Sequence, residues 1–255
     1  PVRTLGLDAL LTGTTLDLHS RIFSARAKAE GVPVVGMLHG GACGVLDEPV
    51  FGYGENAFSD TLIGYGVEGS NSVASSIYSK SLYGENVKCL PSESLEISRV
   101  YSENNIPLID SLTRPRFMYV PTVFSGTEGR YGPFRDMHDI AYMEWQHSLI
   151  NLFANEHAGR MIWKGHPKDR TEVDIDVRGV IVARHSKFEE MLDDADIYVF
   201  DYISTAFNVA AATSNPIIYF DIGLRNINEN ALKAIKERCV YVKADPRNPE
   251  KAYKD

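Results

Sequence analysis

The alternation of apolar and polar positions is sharpest in the second half of the chain. Residues 117–123 form a short apolar run that predicts a buried strand. A Gly-rich stretch, 125–132, follows it. Next comes 139–155, where Ile140, Met143, Leu149, Ile150 and Phe153 recur at roughly helical spacing. Further strands are expected at 160–164, 179–183, 196–200, 216–220 and 240–242, with helices at 187–194, 205–213 and 228–238. Short apolar strands separated by helices imply βα units and a parallel sheet covered on both faces. The first half is similar but thinner. It offers a strand at 5–11, a helix at 17–30 ended by Gly31, a strand at 32–38, a short strand at 61–64 and a helix at 70–83. Three strands are few for an open sheet, so further strands are expected ahead of Pro1. The fold class is therefore α/β, with two Rossmann-like domains facing a cleft. They occupy residues 1–113 and 114–255, join near 111–116, and the first is incomplete.

Composition narrows the function. The 255 residues are 44% hydrophobic and 24% charged, which suits a water-soluble protein with room for two such layers. No apolar run reaches the length of a membrane span. The chain opens Pro1-Val2-Arg3-Thr4, with neither an initiator Met nor a leader pattern, so it is expected to be trimmed from something longer. A net charge of −8 opposes a nucleic-acid groove and any broad hold on anionic lipid. Cys43, Cys89 and Cys239 are widely spaced and lack a CxxC, so a reducing cytoplasm is expected, with neither disulfide framework nor zinc site. Peripheral contact at the inner face of the membrane would come through segments outside this sequence.

The chemistry gathers at strand ends. In Met161-Ile162-Trp163-Lys164-Gly165-His166-Pro167-Lys168 a His-Pro pair stands just past a parallel strand, where open α/β sheets bind ligands. Pro167 holds the imidazole in a loop, where it can donate to a phosphate oxygen. In the stretch 196–207 a strand ends in Asp201-Tyr202-Ile203-Ser204-Thr205, and Ser204 or Thr205 can cap the helix that follows. In the first half, Val34-Val35-Gly36-Met37-Leu38 leads into His39-Gly40-Gly41, a strand-end His beside two glycines that permit close approach. His39 is a candidate general base. Asp47, Glu48, Glu55 and Asp60 follow, and any one of them could be that base or orient His39. His19, His138, His147, His157 and His185 lack metal-ligand spacing, and 125–132 contains neither GxGxxG nor GxxxxGK[ST].

His-Gly in one half, with Lys-x-His-Pro and Asp-Tyr-x-Ser-Thr in the other, resembles the GT-B glycosyltransferase superfamily. Within it, the chain is similar to teichoic-acid CDP-glycerol glycerophosphotransferases and to bacterial sialyl and Kdo transferases that use CMP-sugars. The likeness spans 34–41 and 117–221. It implies a transferase moving a glycosyl or polyol-phosphate group from a CDP- or CMP-linked donor to a cell-surface polysaccharide or teichoic-acid-type acceptor, with no cofactor and no metal. By the same likeness Lys164, His166, Pro167, Ser204 and Thr205 would hold the donor's phosphate and nucleotide. His39, with Gly40 and Gly41 beside it, would face the acceptor, with His39 and His166 catalytic, and Glu55 is placed on the same side as one of the carboxylates that follow His39. Gly165 stands where the glycerophosphotransferases have Pro, and Gly41 where Thr-Pro is expected, which leaves the transferred group open. A non-hydrolysing nucleotide-sugar epimerase and a non-catalytic nucleotide-binding or scaffolding module are the rival readings.

Overall fold

A computed structural model of the chain describes residues 6–15, 17–38, 40–47, 52–75, 86–103, 114–124, 137–157, 160–167, 178–248 and 251. The chain divides into two compact units. One is Pro1–Ser98 with Asn226–Asn228, the other Arg99–Arg225 with Glu229–Asp255.

In the first unit, β1 (Leu10–Thr12), β2 (Val34–Met37), β3 (Thr61–Tyr65) and β4 (Lys88–Ser92) form a parallel sheet in that order. Helix α1 (Leu18–Ala29) starts where the Asp17 carboxylate accepts from the Ser20 N–H at 2.9 Å. It ends at Glu30, followed by Gly31 at φ +74°, a left-handed turn that glycine adopts without steric cost. Helix α2 (Val67–Ser75) covers part of the expected 70–83 helix, and 76–85 lie outside the described residues. The sheet has four strands where the sequence showed three. The missed one, β4, is an edge strand with mostly exposed side chains and carries Pro91, so it has no apolar run to announce it. Helix α3 (Leu95–Glu103) was also not foreseen, since Val100 is its buried residue.

The second unit holds β5 (Phe117–Val120), helix α4 (Asp139–Glu156), β6 (Met161–Lys164), β7 (Val180–Ala183) and β8 (Ile197–Phe200). Helix α5 (Thr205–Ala211), β9 (Ile217–Asp221), helix α6 (Glu229–Arg238) and β10 (Val240–Lys243) complete it. All six strands are parallel, in the order β10-β9-β8-β5-β6-β7. The chain builds outward from β5 through β6 to β7, then returns to β8 on the other side of β5. That is the Rossmann order, and it puts the topological switch point between β5 and β8.

The α/β, Rossmann-like, GT-B-like class stands for both sheets. β5 and β6 are buried at every position, which is why they read as unbroken apolar runs. Between sheet and α4 lies a core that includes Phe117, Tyr119, Tyr142, Trp145, Leu149, Phe153 and Trp163. Two expectations change in detail. The helix at 187–194 is two 3₁₀ turns, Phe188–Glu190 and Leu192–Asp194, closed by short i→i+3 bonds on either side of Met191. The buried face of α4 is Tyr142, Trp145, Gln146, Leu149, Ile150 and Phe153, which leaves Ile140 at 70% exposure. Among the described residues no helix is long and apolar enough to cross a membrane.

Candidate functional site

Because every strand of the second sheet runs the same way, the loops after β5, β6, β7 and β8 all leave one edge, the carboxyl edge. The register aligns Val120 with Phe200 and Lys164 with Ala183, so these strand ends stand level.

Asp201 anchors the switch point. It is 1% exposed and accepts hydrogen bonds from the Tyr119 hydroxyl, from the Tyr142 hydroxyl at 3.0 Å and from Trp145 Nε1 at 3.0 Å. Tyr142 in turn accepts from the Thr122 N–H at 2.9 Å. One carboxylate therefore fixes the ends of β5 and β8 to α4. Burial, and then the adjacent Asp201 charge, push the Tyr119 hydroxyl well above its ordinary pKa, so it remains a donor. Sequence reading treated these aromatic residues as core and missed that their polar ends converge.

The turn that follows leads into α5. Ser204, not Thr205, is the N-cap, accepting from the Phe207 N–H at 3.4 Å in extended backbone. Thr205 is exposed. His166 and the Ser204–Thr205 pair thus follow β6 and β8, the two strands that flank β5 at this edge.

Lys164 is the most unusual group here. It is 2% exposed, and its single hydrogen bond among the described residues runs from Nζ to the Gly165 carbonyl at 2.7 Å. Burial lowers its pKa, while Glu189 and Glu190 pull it back up. Gly165 is required locally. A Cβ there would lie 2.6 and 2.7 Å from Cζ3 and Cη2 of the Trp163 indole, so the chain can fold over that ring only without a side chain. His166 beyond it is half-buried and Pro167 exposed. Lys168 and the Gly-rich stretch 125–132 lie outside the described residues.

In the first unit, His39 and Glu48 also lie outside the described residues. Gly40 adopts φ +94° and Gly41 is buried in the turn after β2. Farther on, Gly44 sits at φ +83°, where a Cβ would be 2.7 Å from the Gly69 carbonyl oxygen. Burial separates the carboxylates that the sequence left equal. Asp60 pairs with Lys28 and accepts from the Val34 N–H at 2.7 Å, a structural tie at the start of β2. Asp47 is exposed. Glu55 is 4% exposed, in a one-turn π-helix (Gly52–Asn56) packed on β2. Desolvation raises its carboxyl to about 8. Thr14 opposes that shift, although its buried hydroxyl stops short of good hydrogen-bond geometry. Burial, and after it the neighbouring Glu55, push the nearby Cys43 thiol well above its ordinary pKa. Among the described residues no group of His, Cys, Asp and Glu gathers as a metal site would require.

Residues 11–237 match the family model described as LIC12162 family transferase. No curated protein matches the sequence.

Proposed function

The chain belongs to the LIC12162 family of transferases, and from that premise we propose that it moves a glycosyl or polyol-phosphate group from a cytidine-nucleotide-activated donor to a cell-surface polysaccharide or teichoic-acid-type acceptor. The observation that carries the donor half is Lys164, a buried ammonium that among the described residues is bonded to one carbonyl, at the carboxyl edge of a Rossmann-ordered sheet. A buried cation so poorly satisfied is costly, and an anion docked at that edge would offset the cost. In this reading Lys164 and His166 meet the charge of the leaving nucleotide as its bond to the transferred group breaks. Pro167 fixes the His166 loop, and the Ser204 and Thr205 hydroxyls face the same phosphate. On the acceptor side, the new bond forms at a hydroxyl whose proton passes to His39 or Glu55, with Gly40 and Gly41 leaving room for the acceptor.

The test begins with thermal shift against CDP, CMP, UDP and GDP. A ligand at a hundred times its Kd adds about 2.7 kcal/mol. Cytidine nucleotides should stabilise the chain more than the others, and equal responses would overturn the donor assignment. His166→Ala should weaken nucleotide binding and reduce turnover about 10²–10³-fold. His39→Ala should keep nucleotide affinity and lose about 10²–10⁴ in transfer. Equal loss of nucleotide binding in both variants would remove this division of labour.

A further inference from the structure

The two sheets differ in how they are covered. In the second unit the chain runs outward from β5 to β7, then back through β8 to β10. Its connections cover both faces, α4 on one side and Phe188 and Phe207 against Tyr198, Phe200 and Tyr219 on the other. In the first unit the order β1-β2-β3-β4 never turns back. Right-handed crossovers that all advance in one direction fall on one face. Ala27 of α1 packs with Val34 and Leu10, and Val73 of α2 shares a core with Leu62, with Cys89 packed against it. A Cβ on Gly36 would lie 2.6 Å from Ser59 Oγ in the β2–β3 connection. Register puts all these strand residues on the same side. The alternate residues make the other face: Leu11, Val35, Thr61 and Lys88 in one row, Met37, Ile63 and Leu90 in the next, then Tyr65 and Ser92. Leu11 is 62% exposed, Met37 44%, Tyr65 40% and Leu90 39%. Parallel sheets are covered on both faces, yet this mostly apolar face is open. Four strands about 4.8 Å apart span about 19 Å, the width of two helices of about 10 Å each. Five residues at about 3.3 Å make the footprint about 300 Å², well short of the roughly 800 Å² that each partner of a stable dimer buries. A second copy is therefore a poor fit and a two-helix layer a good one. In parallel sheets such helices are crossovers between strands, and on this face they must advance the opposite way, from β1 to strands beyond its free edge.

We infer that the open face of the first sheet is the docking surface for two amphipathic helices of further βα units of the same polypeptide, which add strands beside β1. The first unit is then one half of a doubly wound sheet, with its switch point at the carboxyl end of β1, where Thr14 stands beside Glu55. The test is carbene footprinting, read by mass spectrometry, of the polypeptide as its gene encodes it, over a range of protein concentrations. Leu62 on the covered face and Leu18 on the outside of α1 serve as internal standards for buried and exposed side chains. Leu11, Met37, Tyr65 and Leu90 should label as slowly as Leu62 at every concentration. A cross-linker attached to Lys88, which is exposed on the same face, and photoactivated at its other end should reach residues outside 1–255. Labelling of the four at the rate of Leu18 would overturn the inference, because the face is then bare. Protection that sets in only as concentration rises would overturn it as well, since a second copy is then the cover. So would Lys88 cross-links that never leave residues 1–255.

Discussion

Glu55 is a residue whose cost is visible. A carboxyl raised from its ordinary 4.5 to about 8 by desolvation keeps its proton in the folded chain after the unfolded chain has released one. Between those values the unfolded state binds fewer protons, so stability falls as pH rises from about 4.5 to about 8 and is flat above. The accumulated penalty is on the order of 3–5 kcal/mol. Glu55→Gln should therefore melt close to wild type near pH 4.5 and several degrees higher at pH 8.5, by calorimetry at both values. A gain that does not vary with pH would show that Glu55 is not a buried neutral acid. A sequence that retains so expensive a group breaks its own packing rule, and such breaks concentrate at functional sites. If Glu55 takes the acceptor's proton, kcat/KM of wild type should also climb through about pH 8, whereas a His39 base would level off nearer neutrality.

At the scale of elements, α5 is short and depends on a neighbour for its exit. Arg238, at the end of α6, donates to the carbonyls of Ala211 at 3.2 Å, Thr213 at 2.7 Å and Asn215 at 2.9 Å, binding the last turn of α5 and the link to β9. Arg238→Met should cost about 2–3 kcal/mol in urea denaturation, and Arg238→Lys should restore less than half, since one ammonium cannot reproduce the fork. A loss under about 0.5 kcal/mol in the Met variant would mean that water replaces these contacts. Legibility follows the same physics. β5, β6 and β8 could be read because burial on two faces demands unbroken apolar residues. β4 could not, because an exposed edge demands nothing. The Lys164–His166 loop and the Ser204 cap were legible because strand ends and caps have local signatures. Two things had none: the convergence of Tyr119, Tyr142 and Trp145 on Asp201, and the burial that singles out Glu55. Each depends on partners far along the chain.

At the scale of the whole molecule, the chain passes from unit to unit three times, after Ser98, after Arg225 and after Asn228. The short visit by Asn226–Asn228 is closely bonded. Asp47 N–H donates to the Asn226 carbonyl at 2.8 Å and Asn228 N–H to the Val45 carbonyl at 3.0 Å, while Asn228 Nδ2 reaches the Gly44 carbonyl at 2.8 Å and Ser72 Oγ at 3.2 Å. Asn228→Ala should speed amide hydrogen exchange around 44–47 without changing it in β5 or β8, and unchanged protection at 44–47 would make these bonds dispensable. A tripeptide read late in translation thus finishes the loop at 44–47. No single cut yields two whole parts: a fragment ending at Ser98 leaves backbone groups of 44–47 without their partners, and any chimera exchanging one sheet for a relative's must match three junctions at once.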